Sequence, residues 1–250
     1  MSKLTSLEGR VFAVTGASRG MGLRFARALR EEGAKVVILA RASEALEEAR
    51  VEFAGSLVLA CDVGSPQSVR AAFAAIGETH GRLDGLINNA AACLIHKIED
   101  STDAELHTEI DTNLLGPLLC IREAIPLLKA SGGGDIVNVS SESVRLPFPY
   151  LTLYAATKAG LETLSQGLRA ELRPDGIRVT ILRAGHVAES SLGAGWDPDR
   201  SRAFFETITA SGHLAFSGAA VAPETMAAML AELLKAPREA NFDLVELRAF

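Results

Sequence analysis

The sequence predicts an α/β fold, a single doubly wound parallel sheet with helices on both faces. Short apolar runs of strand length alternate along the chain with amphipathic stretches of about 10–15 residues. Because crossovers between parallel strands are right-handed, such an alternation places helices on both faces of a Rossmann-type sheet. Ligands of these sheets bind at the carboxyl ends of the strands.

The elements follow in order. The predicted strands lie at 11–14, 35–40, 56–60, 85–88, 135–139, 178–182 and 242–247. Predicted helices begin at Met21, Ser43 and Ser65-Pro66 and cover 102–129, 154–172 and 223–235, whereas 186–222 is predicted to be irregular.

The composition bounds the class of protein. A chain of 250 residues with 48% hydrophobic residues fits one domain, residues 1–250, with no linker or repeat. A net charge of −6 and no basic run argue against a nucleic-acid partner. No apolar run approaches the roughly 18 residues of a membrane span, so we expect no membrane partner.

The three cysteines, Cys61, Cys93 and Cys120, are scattered and odd in number. This pattern is typical of free thiols in a reducing compartment and provides no metal set. We therefore expect a cytoplasmic protein.

A glycine-rich turn is the first candidate site. The buried run 11–14 ends in Gly16, Gly20 and Gly22, and a helical pattern begins at Met21. Glycines let the backbone approach a ligand, and the free N–H groups of the helix start attract an anion. A strand, glycine turn and helix in this order predict a site for a pyrophosphate.

Tyr154 and Lys158 are the second candidate site. Residues four apart lie on one helix face, so the hydroxyl and the ammonium should project side by side. A neighbouring cation favours the phenolate and should lower the pKa of Tyr154 from about 10, which would make it a general acid/base.

Together these motifs resemble the short-chain dehydrogenase/reductase family. The chain has Thr15-Gly-Ala-Ser-Arg-Gly-Met-Gly22, Asn88-Asn-Ala90, Asn113, Ser141 and Tyr154-x-x-x-Lys158 in this order and spacing. The resemblance covers about residues 7–185. It implies that Tyr154 exchanges a proton with the substrate oxygen, Lys158 assists it and binds the nicotinamide ribose, and Ser141 holds the carbonyl.

The resemblance also implies the remaining site residues. Asn113 would support a water of the proton relay. The implied cofactor-binding residues are Gly16, Ser18, Arg19, Gly20, Met21, Arg41, Asp62, Val63, Asn89, Ala90, Ala91, Tyr154, Lys158, Gly185 and Val187. The expected substrate contacts are Ser141, Leu94, Phe148 and Tyr150.

For Ser141 and Tyr154, a second residue of the same type lies nearby in the sequence and has to be excluded. Ser140 points to the opposite side of an extended segment from Ser141, and the family serine lies thirteen residues before its tyrosine. Tyr150 has no lysine four residues on, so it lines the substrate entrance or simply packs.

Pro117 lacks an N–H for the carbonyl of Asn113, which predicts a kinked helix and a carbonyl free to hold a water.

The cofactor is expected to be NADP(H). NAD-preferring relatives carry an acidic residue after the second strand, but this chain has Ala40-Arg41, with Arg19 in the glycine turn. Two guanidiniums and no carboxylate suit a 2′-phosphate.

Four departures from the family pattern stand out. Ala91 replaces a glycine, Ala184-Gly185 replaces Pro-Gly, Glu189 stands where a threonine commonly contacts the carboxamide, and the usual aspartate-glycine-glycine tail is missing. Ser190 can substitute for the threonine contact. None of these positions is a proton-transfer residue.

The sequence thus predicts an NADP(H)-dependent oxidoreductase that interconverts a carbonyl and an alcohol. Residues 186–222, rich in aromatic side chains, should cover an apolar small-molecule substrate. The helical segments 102–129 and 154–172 resemble the dimer surfaces of the family, which implies a homodimer or homotetramer. The alternatives are a redox-silent NADP(H)-binding sensor or partner protein and, less favoured for a chain this short, a sugar epimerase or dehydratase.

Overall fold

The computed structural model describes residues 5–250, except for the side chain of Ser191. In this part of the chain seven strands form one parallel sheet in the order β3-β2-β1-β4-β5-β6-β7. The strands are β1 (Val11–Thr15), β2 (Lys35–Ala40), β3 (Leu57–Ala60), β4 (Gly85–Asn88), β5 (Gly134–Ser141), β6 (Ile177–Ala184) and β7 (Leu244–Leu247). The strand order reverses between β1 and β4, which confirms the predicted doubly wound fold.

Helices connect the strands and cover both faces of the sheet. They are α1 (Gly20–Glu31), α2 (Glu44–Glu52), α3 (Pro66–His80), α4 (Asp103–Ile110), α5 (Gly116–Ala130), α6 (Thr152–Leu172), α7 (Pro198–Ala210), α8 (His213–Ser217) and α9 (Pro223–Leu234). The predicted helix starts at Ser43 and Ser65 are correct, because each serine hydroxyl caps its helix by accepting a backbone N–H.

The sheet is buried on both faces because successive side chains of a strand point in opposite directions. In β1, Phe12 and Val14 join an apolar cluster that α1 and α9 complete, whereas Val11 and Ala13 join a second cluster with α3 and α5. Two-sided burial explains why these strands are continuous apolar runs rather than alternating ones.

The predicted long helix at 102–129 is two helices joined by a wider turn. Residues Asp111–Leu115 form a π-helical turn between α4 and α5. Pro117 then falls in the first turn of α5 and has no N–H to donate to the carbonyl of Asn113, four residues earlier. Gly116 fits a close contact, since a Cβ there would lie 2.9 Å from Cγ2 of Val63. The interruption occurs where Pro117 predicts it.

The prediction that 186–222 is irregular is wrong, since α7 and α8 lie within it. Asp197 accepts the N–H groups of Asp199 and Arg200, and Pro198 occupies the first position of α7. Phe204 and Ile208, four residues apart, give this helix a buried face. A capped, proline-initiated amphipathic helix was therefore readable in the sequence.

Candidate functional site

The carboxyl ends of β1 and β4 are joined at the point where the sheet reverses. The Thr15 hydroxyl accepts the backbone N–H groups of Asn89 and Ala90, both at 3.0 Å. The Asn89 amide in turn donates to the Thr15 carbonyl at 3.0 Å. Gly16 has a φ of +65° and lies so close to Ala90 that a Cβ would sit 2.8 Å from its Cα. Glycine is required here, and the crevice between the two strand ends is fixed.

The start of α1 suits a bound phosphate group. Its N-cap residue, Arg19, has extended backbone and provides no side-chain cap, and no acidic residue lies in the first turn. The first N–H groups of α1 therefore have no capping side chain to compete with an anion. Gly20, at φ +57°, adopts the left-handed conformation that this turn needs. These residues fit the pyrophosphate of a dinucleotide.

The two arginines of the cofactor prediction lie at the rim of this crevice. Arg19 and Arg41 are both exposed, and within residues 5–250 neither forms an ion pair. Asp62 is exposed as well and accepts the N–H of Gly64 at 3.0 Å. The guanidiniums are free to meet an anionic group at the carboxyl edge of the sheet.

The other residues predicted to contact the cofactor lie around the same edge. Val63 is buried, whereas a larger set is half-buried, namely Ser18, Met21, Ala91, Gly185 and Val187. Gly185 donates its N–H to the Leu247 carbonyl at 2.9 Å. Glu189 is exposed, with a φ of +51°, and lies 3.8 Å from Arg24. The Ser190 hydroxyl accepts the N–H of Leu192.

Strand β5 and helix α6 are joined residue by residue. The Asn138 amide donates to the Ser165 hydroxyl at 2.9 Å, and the Ser140 hydroxyl donates to Glu162 at 2.6 Å. Between them, the Lys158 ammonium donates to the Val139 carbonyl at 2.9 Å.

The same pairing brings together the predicted proton-transfer residues. Ser141 ends β5, and its hydroxyl lies beside that of Tyr154 and acts on its pKa. The Lys158 ammonium lies 5.8 Å from the centre of the Tyr154 ring. Ser140 points to the other side of the strand, where its hydroxyl donates to Glu162.

Asn113 lies in the π-helical turn and is fully buried. Its Oδ1 accepts the Ala92 N–H at 2.8 Å, and its Nδ2 donates to the Ala92 carbonyl at 2.7 Å and to the Thr157 hydroxyl at 3.2 Å. The side chain therefore fastens the segment after β4 to the start of α6.

Burial controls the ionisation of both residues of the Tyr-x-x-x-Lys motif. It raises the pKa of Tyr154 well above its ordinary value, and the hydrogen bond with Ser141 offsets only part of this rise. Burial also lowers the pKa of Lys158 to about 8. The expected lowering of the Tyr154 pKa by Lys158 is therefore not found, because removal from water outweighs the neighbouring charge.

An apolar cluster surrounds Tyr154, which is only 6% exposed. We call residues 186–222, which carry α7 and α8, the cover. Two of its buried residues, Phe204 and Ile208, pack in one cluster with Tyr154 and Phe148. The Tyr150 and Phe204 rings meet edge to face, 6.4 Å apart. Phe148 and Tyr150, two of the predicted substrate contacts, thus lie beside Tyr154.

The cover is fastened to the segment that follows β4. The Trp196 indole N–H donates to the Cys93 carbonyl at 2.7 Å. Arg200 donates to the Ile95 carbonyl at 3.2 Å and pairs with Glu105 at 2.6 Å. Leu94, the fourth predicted substrate contact, lies half-buried between these two anchors.

The sequence analysis missed a charged network on the far side of Ser141. Arg183 pairs with Glu162 at 2.6 Å and with Glu246 at 3.0 Å. Arg248 lies 3.5 Å from the buried Glu142, the residue after Ser141. These arginines and glutamates lie far apart in the sequence, so no local sequence pattern predicts the network. Within the described residues no group of three or more His, Cys, Asp or Glu is placed to hold a metal ion.

Fold and site define the class of protein. The family model for short chain dehydrogenase matches residues 10–200, and the chain belongs to the short-chain dehydrogenase/reductase family. Over residues 5–250 no helix has the length and apolar character needed to cross a membrane.

Individual relatives narrow the comparison. The chain is 36% identical over 186 residues to D-xylose 1-dehydrogenase of Caulobacter vibrioides, a match that covers 73% of each chain. A metagenomic short-chain oxidoreductase in complex with NADP is 29% identical, with a TM-score of 0.79 and coverage of 98% of this chain and 99% of the other. L-sorbose reductase of Gluconobacter frateurii, complexed with NADPH and L-sorbose, is 25% identical, with a TM-score of 0.82 and coverage of 97% and 96%.

Proposed function

We propose that this protein is an NADP(H)-dependent oxidoreductase that interconverts a carbonyl and an alcohol, with Tyr154 as general acid/base. The observation that carries the proposal is the β5–α6 pairing, because it holds Ser141, Tyr154 and Lys158 together at the edge of the sheet where a dinucleotide fits. Family membership makes it an oxidoreductase; the cofactor preference and the residue roles are our proposal.

The glycine turn, the start of α1 and the Asn89 region would hold the cofactor, with Lys158 at the nicotinamide ribose. A bound nicotinamide cofactor supplies the hydride for reduction or accepts it for oxidation. Arg19 and Arg41 would take the 2′-phosphate, since both guanidiniums are exposed and without a carboxylate partner among residues 5–250. The two relatives solved with NADP or NADPH support this preference.

Tyr154 is suited to donate a proton to a carbonyl oxygen. Its raised pKa keeps the hydroxyl protonated at neutral pH, so it can act as the acid while Ser141 donates a hydrogen bond to the same oxygen. In the oxidative direction Tyr154 would take the alcohol proton. Asn113, which fixes Ala92 and Thr157, would support the water that returns the proton from solvent.

The substrate is proposed to be a small apolar carbonyl or alcohol. Phe148, Tyr150 and Phe204 form an apolar surface beside Tyr154, and burying apolar substrate area there is favourable by about 25 cal/mol per Å². Two relatives, D-xylose 1-dehydrogenase and L-sorbose reductase, are named for sugars rather than apolar compounds, so both classes of substrate belong in the test.

A pair of tyrosine variants tests the mechanism. Wild-type protein is assayed for oxidation or formation of NADPH with apolar ketones, aldehydes and alcohols and with D-xylose and L-sorbose. Tyr154→Phe should lose turnover with NADPH affinity within a few-fold of wild type, whereas the matched control Tyr150→Phe should keep most of its activity. Binding of NADPH with no turnover in the whole panel would favour the redox-silent sensor.

A charge reversal tests the cofactor. Arg41→Asp should weaken NADPH binding by at least about tenfold and favour NADH, because a charge-assisted contact is worth roughly 1.5–3 kcal/mol. The exposed Arg122 on α5 provides the control, and Arg122→Asp should leave the preference unchanged. An unaltered preference in Arg41→Asp would sink the NADP assignment.

We also propose a homodimer or homotetramer in the cytoplasm. Ile110, Leu115 and Leu118 around the π-helical turn are each more than a third exposed, which suits a contact between copies. The three cysteines are buried free thiols, which suits a reducing compartment. Light scattering of the purified protein tests the assembly, and a monomer at micromolar concentration would refute it.

A further inference from the structure

A buried histidine–glutamate pair lies beneath the segment that follows β4. Nε2 of His96 and Oε2 of Glu109 are 3.0 Å apart, and the side chains are 1% and 0% exposed. The other carboxylate oxygen, Oε1, accepts the N–H of Leu94 at 3.0 Å. Both carboxylate oxygens of Glu109 are therefore hydrogen-bonded to residues 92–96, which we call the wall segment.

The wall segment is gripped from α4 at both of its ends. Glu109 and Asn113 are four residues apart and so share one face, which continues from α4 into the π-helical turn. Asn113 holds both backbone groups of Ala92, and Glu109 holds Leu94 and His96.

The grip extends to the tyrosine next to the site. The backbone N–H of His96 donates to the Tyr150 carbonyl at 3.1 Å. Tyr150 has a φ of +67°, an unusual conformation for a tyrosine that costs of order 1–3 kcal/mol and persists where its surroundings fix it. The pair thus fixes two of the expected substrate contacts, Leu94 directly and Tyr150 through His96.

A contribution to the stability of the fold does not by itself explain why His96 and Glu109 are buried here. A buried polar pair loses its hydration, and apolar side chains of similar volume at such positions are often as stable or more stable. Nδ1 of His96 is buried and has no hydrogen-bond partner within residues 5–250. An unpaired N–H donor there would be costly, so the Nε2–H tautomer facing Glu109 is favoured and Nδ1 is left as a bare acceptor.

We propose that His96 and Glu109 are positioning residues of the reaction: by gripping the wall segment and Tyr150 they set the substrate-facing side of the pocket over Tyr154. The inference rests on the proposed function, since it assumes that substrate occupies this pocket. Neither residue contacts the cofactor crevice at Gly16, so the pair should govern carbonyl binding and leave dinucleotide binding unchanged.

The first arm of the test needs no turnover. Hydrogen exchange of the Leu94 and His96 amides is compared in wild type, Glu109→Val, Glu109→Gln and His96→Gln. In Glu109→Val the Leu94 amide should exchange at least about tenfold faster, because it loses its acceptor. Glu109→Gln should restore its protection, because the amide oxygen can accept the same N–H. Exposed His107 on α4 provides the control variant His107→Gln, which should match wild type.

The second arm separates substrate from cofactor. For the best carbonyl of the substrate panel, Glu109→Val and His96→Gln should raise KM by about tenfold while kcat falls less and NADPH affinity stays within twofold. Glu109→Gln should recover most of the loss. Should Glu109→Val fail to fold, His96→Gln carries both arms, and its expected result in the first is faster exchange of the amide at position 96, which donates to the Tyr150 carbonyl.

The outcomes distinguish two failures. Faster exchange at Leu94 with unchanged KM in the same variants would overturn the positioning role, because the wall segment would then be loosened without consequence for the substrate. Unchanged exchange in Glu109→Val would overturn it as well. Absence of turnover in wild type with intact NADPH binding would instead overturn the proposed function. This result is distinguishable because the wild-type protein itself would be inactive, whatever the variants do.

Discussion

The floor of the candidate site and its cover are held by different kinds of interaction. In the floor, polar side chains of α6 and the π-helical turn bind the backbone and side chains of β5 and the wall segment, and the bonds to β5 are fully buried. In the cover, Phe204 and Ile208 pack through apolar contacts, and Trp196 and Arg200 add a few hydrogen bonds near the surface. A satisfied buried polar network specifies one arrangement, whereas apolar packing under a surface helix can separate as a unit.

The largest expected effect comes from breaking the floor at Asn113. Asn113→Ala removes three hydrogen bonds and leaves both backbone groups of the half-buried Ala92 without their side-chain partner. We expect a loss of about 3 kcal/mol in the free energy of unfolding, measured by urea denaturation. The exposed Asn241, bonded only to Asp243 nearby, gives the control Asn241→Ala, for which we expect less than about 0.5 kcal/mol. Equal losses in the two variants would contradict this account of the floor.

The second prediction concerns the free-energy cost of burying the Lys158 ammonium in the floor. The folded-state pKa of Lys158, about 8, lies below its usual value of 10.5, so between these pH values the native protein binds fewer protons than the unfolded chain. Stability from this group therefore rises with pH through that window, and below pH 8 the buried charge costs about 3 kcal/mol.

Lys158→Met should therefore stabilise the protein without cofactor by about 2 kcal/mol at pH 7, after roughly 1 kcal/mol for the hydrogen bond lost at Val139. The gain should shrink as the pH of the urea titration rises from 7 to 10. A gain that is absent at pH 7, or that grows with pH, would refute the assignment. Lys129→Met, at a half-exposed ion pair on α5, is the control.

A smaller effect is expected in the cover. Trp196→Phe keeps an aromatic ring but loses the N–H that donates to the Cys93 carbonyl. We expect about 1 kcal/mol less stability for local opening of the cover and little change in global unfolding. Limited proteolysis within 186–222 measures the first and urea denaturation the second. If the resistance of the cover to proteolysis and the free energy of global unfolding fall together, the cover does not open as a separate unit.

The smallest effect is expected at the rim of the cover. The Arg200 and Glu105 side chains are 37% and 23% exposed, and exposed ion pairs contribute about 0–1 kcal/mol. Arg200→Gln should therefore speed proteolysis of the cover only slightly at low ionic strength. The difference from wild type should fade at about 1 M salt, where charges are screened over about 3 Å. A difference that persists there would assign the role of Arg200 to its hydrogen bond with Ile95.

The parts of the molecule that follow from short-range patterns were predictable from sequence. The strands 35–40 and 85–88 agree with the structure at both ends, because continuous apolar runs bounded by turns leave little choice of register. The interruption near Pro117 was predictable for a similar reason, since proline lacks the N–H that a regular helix uses.

Features that depend on the tertiary environment were not predictable. Whether Lys158 lowers the pKa of Tyr154 depends on how deeply both are buried, and neither the spacing nor the motif carries that information. Likewise, His96 and Glu109 are thirteen residues apart in the sequence and meet only because α4 packs under the wall segment. Glu109 had one local signal, its position one helical turn before Asn113.

The residue-by-residue pairing of β5 with α6 has a consequence for protein engineering. Bonds from Asn138, Val139 and Ser140 to three successive turns of α6 lock strand and helix to each other without help from the loop that joins them. The distance between Ser141 and Tyr154 is thus set by the body of the protein and not by the length of residues 142–151. We therefore expect that residues 145–149 can be lengthened or shortened in engineered variants while Ser141 and Tyr154 stay in register, provided that Glu142 and Tyr150 are kept, because they bond to Arg248 and to the wall segment.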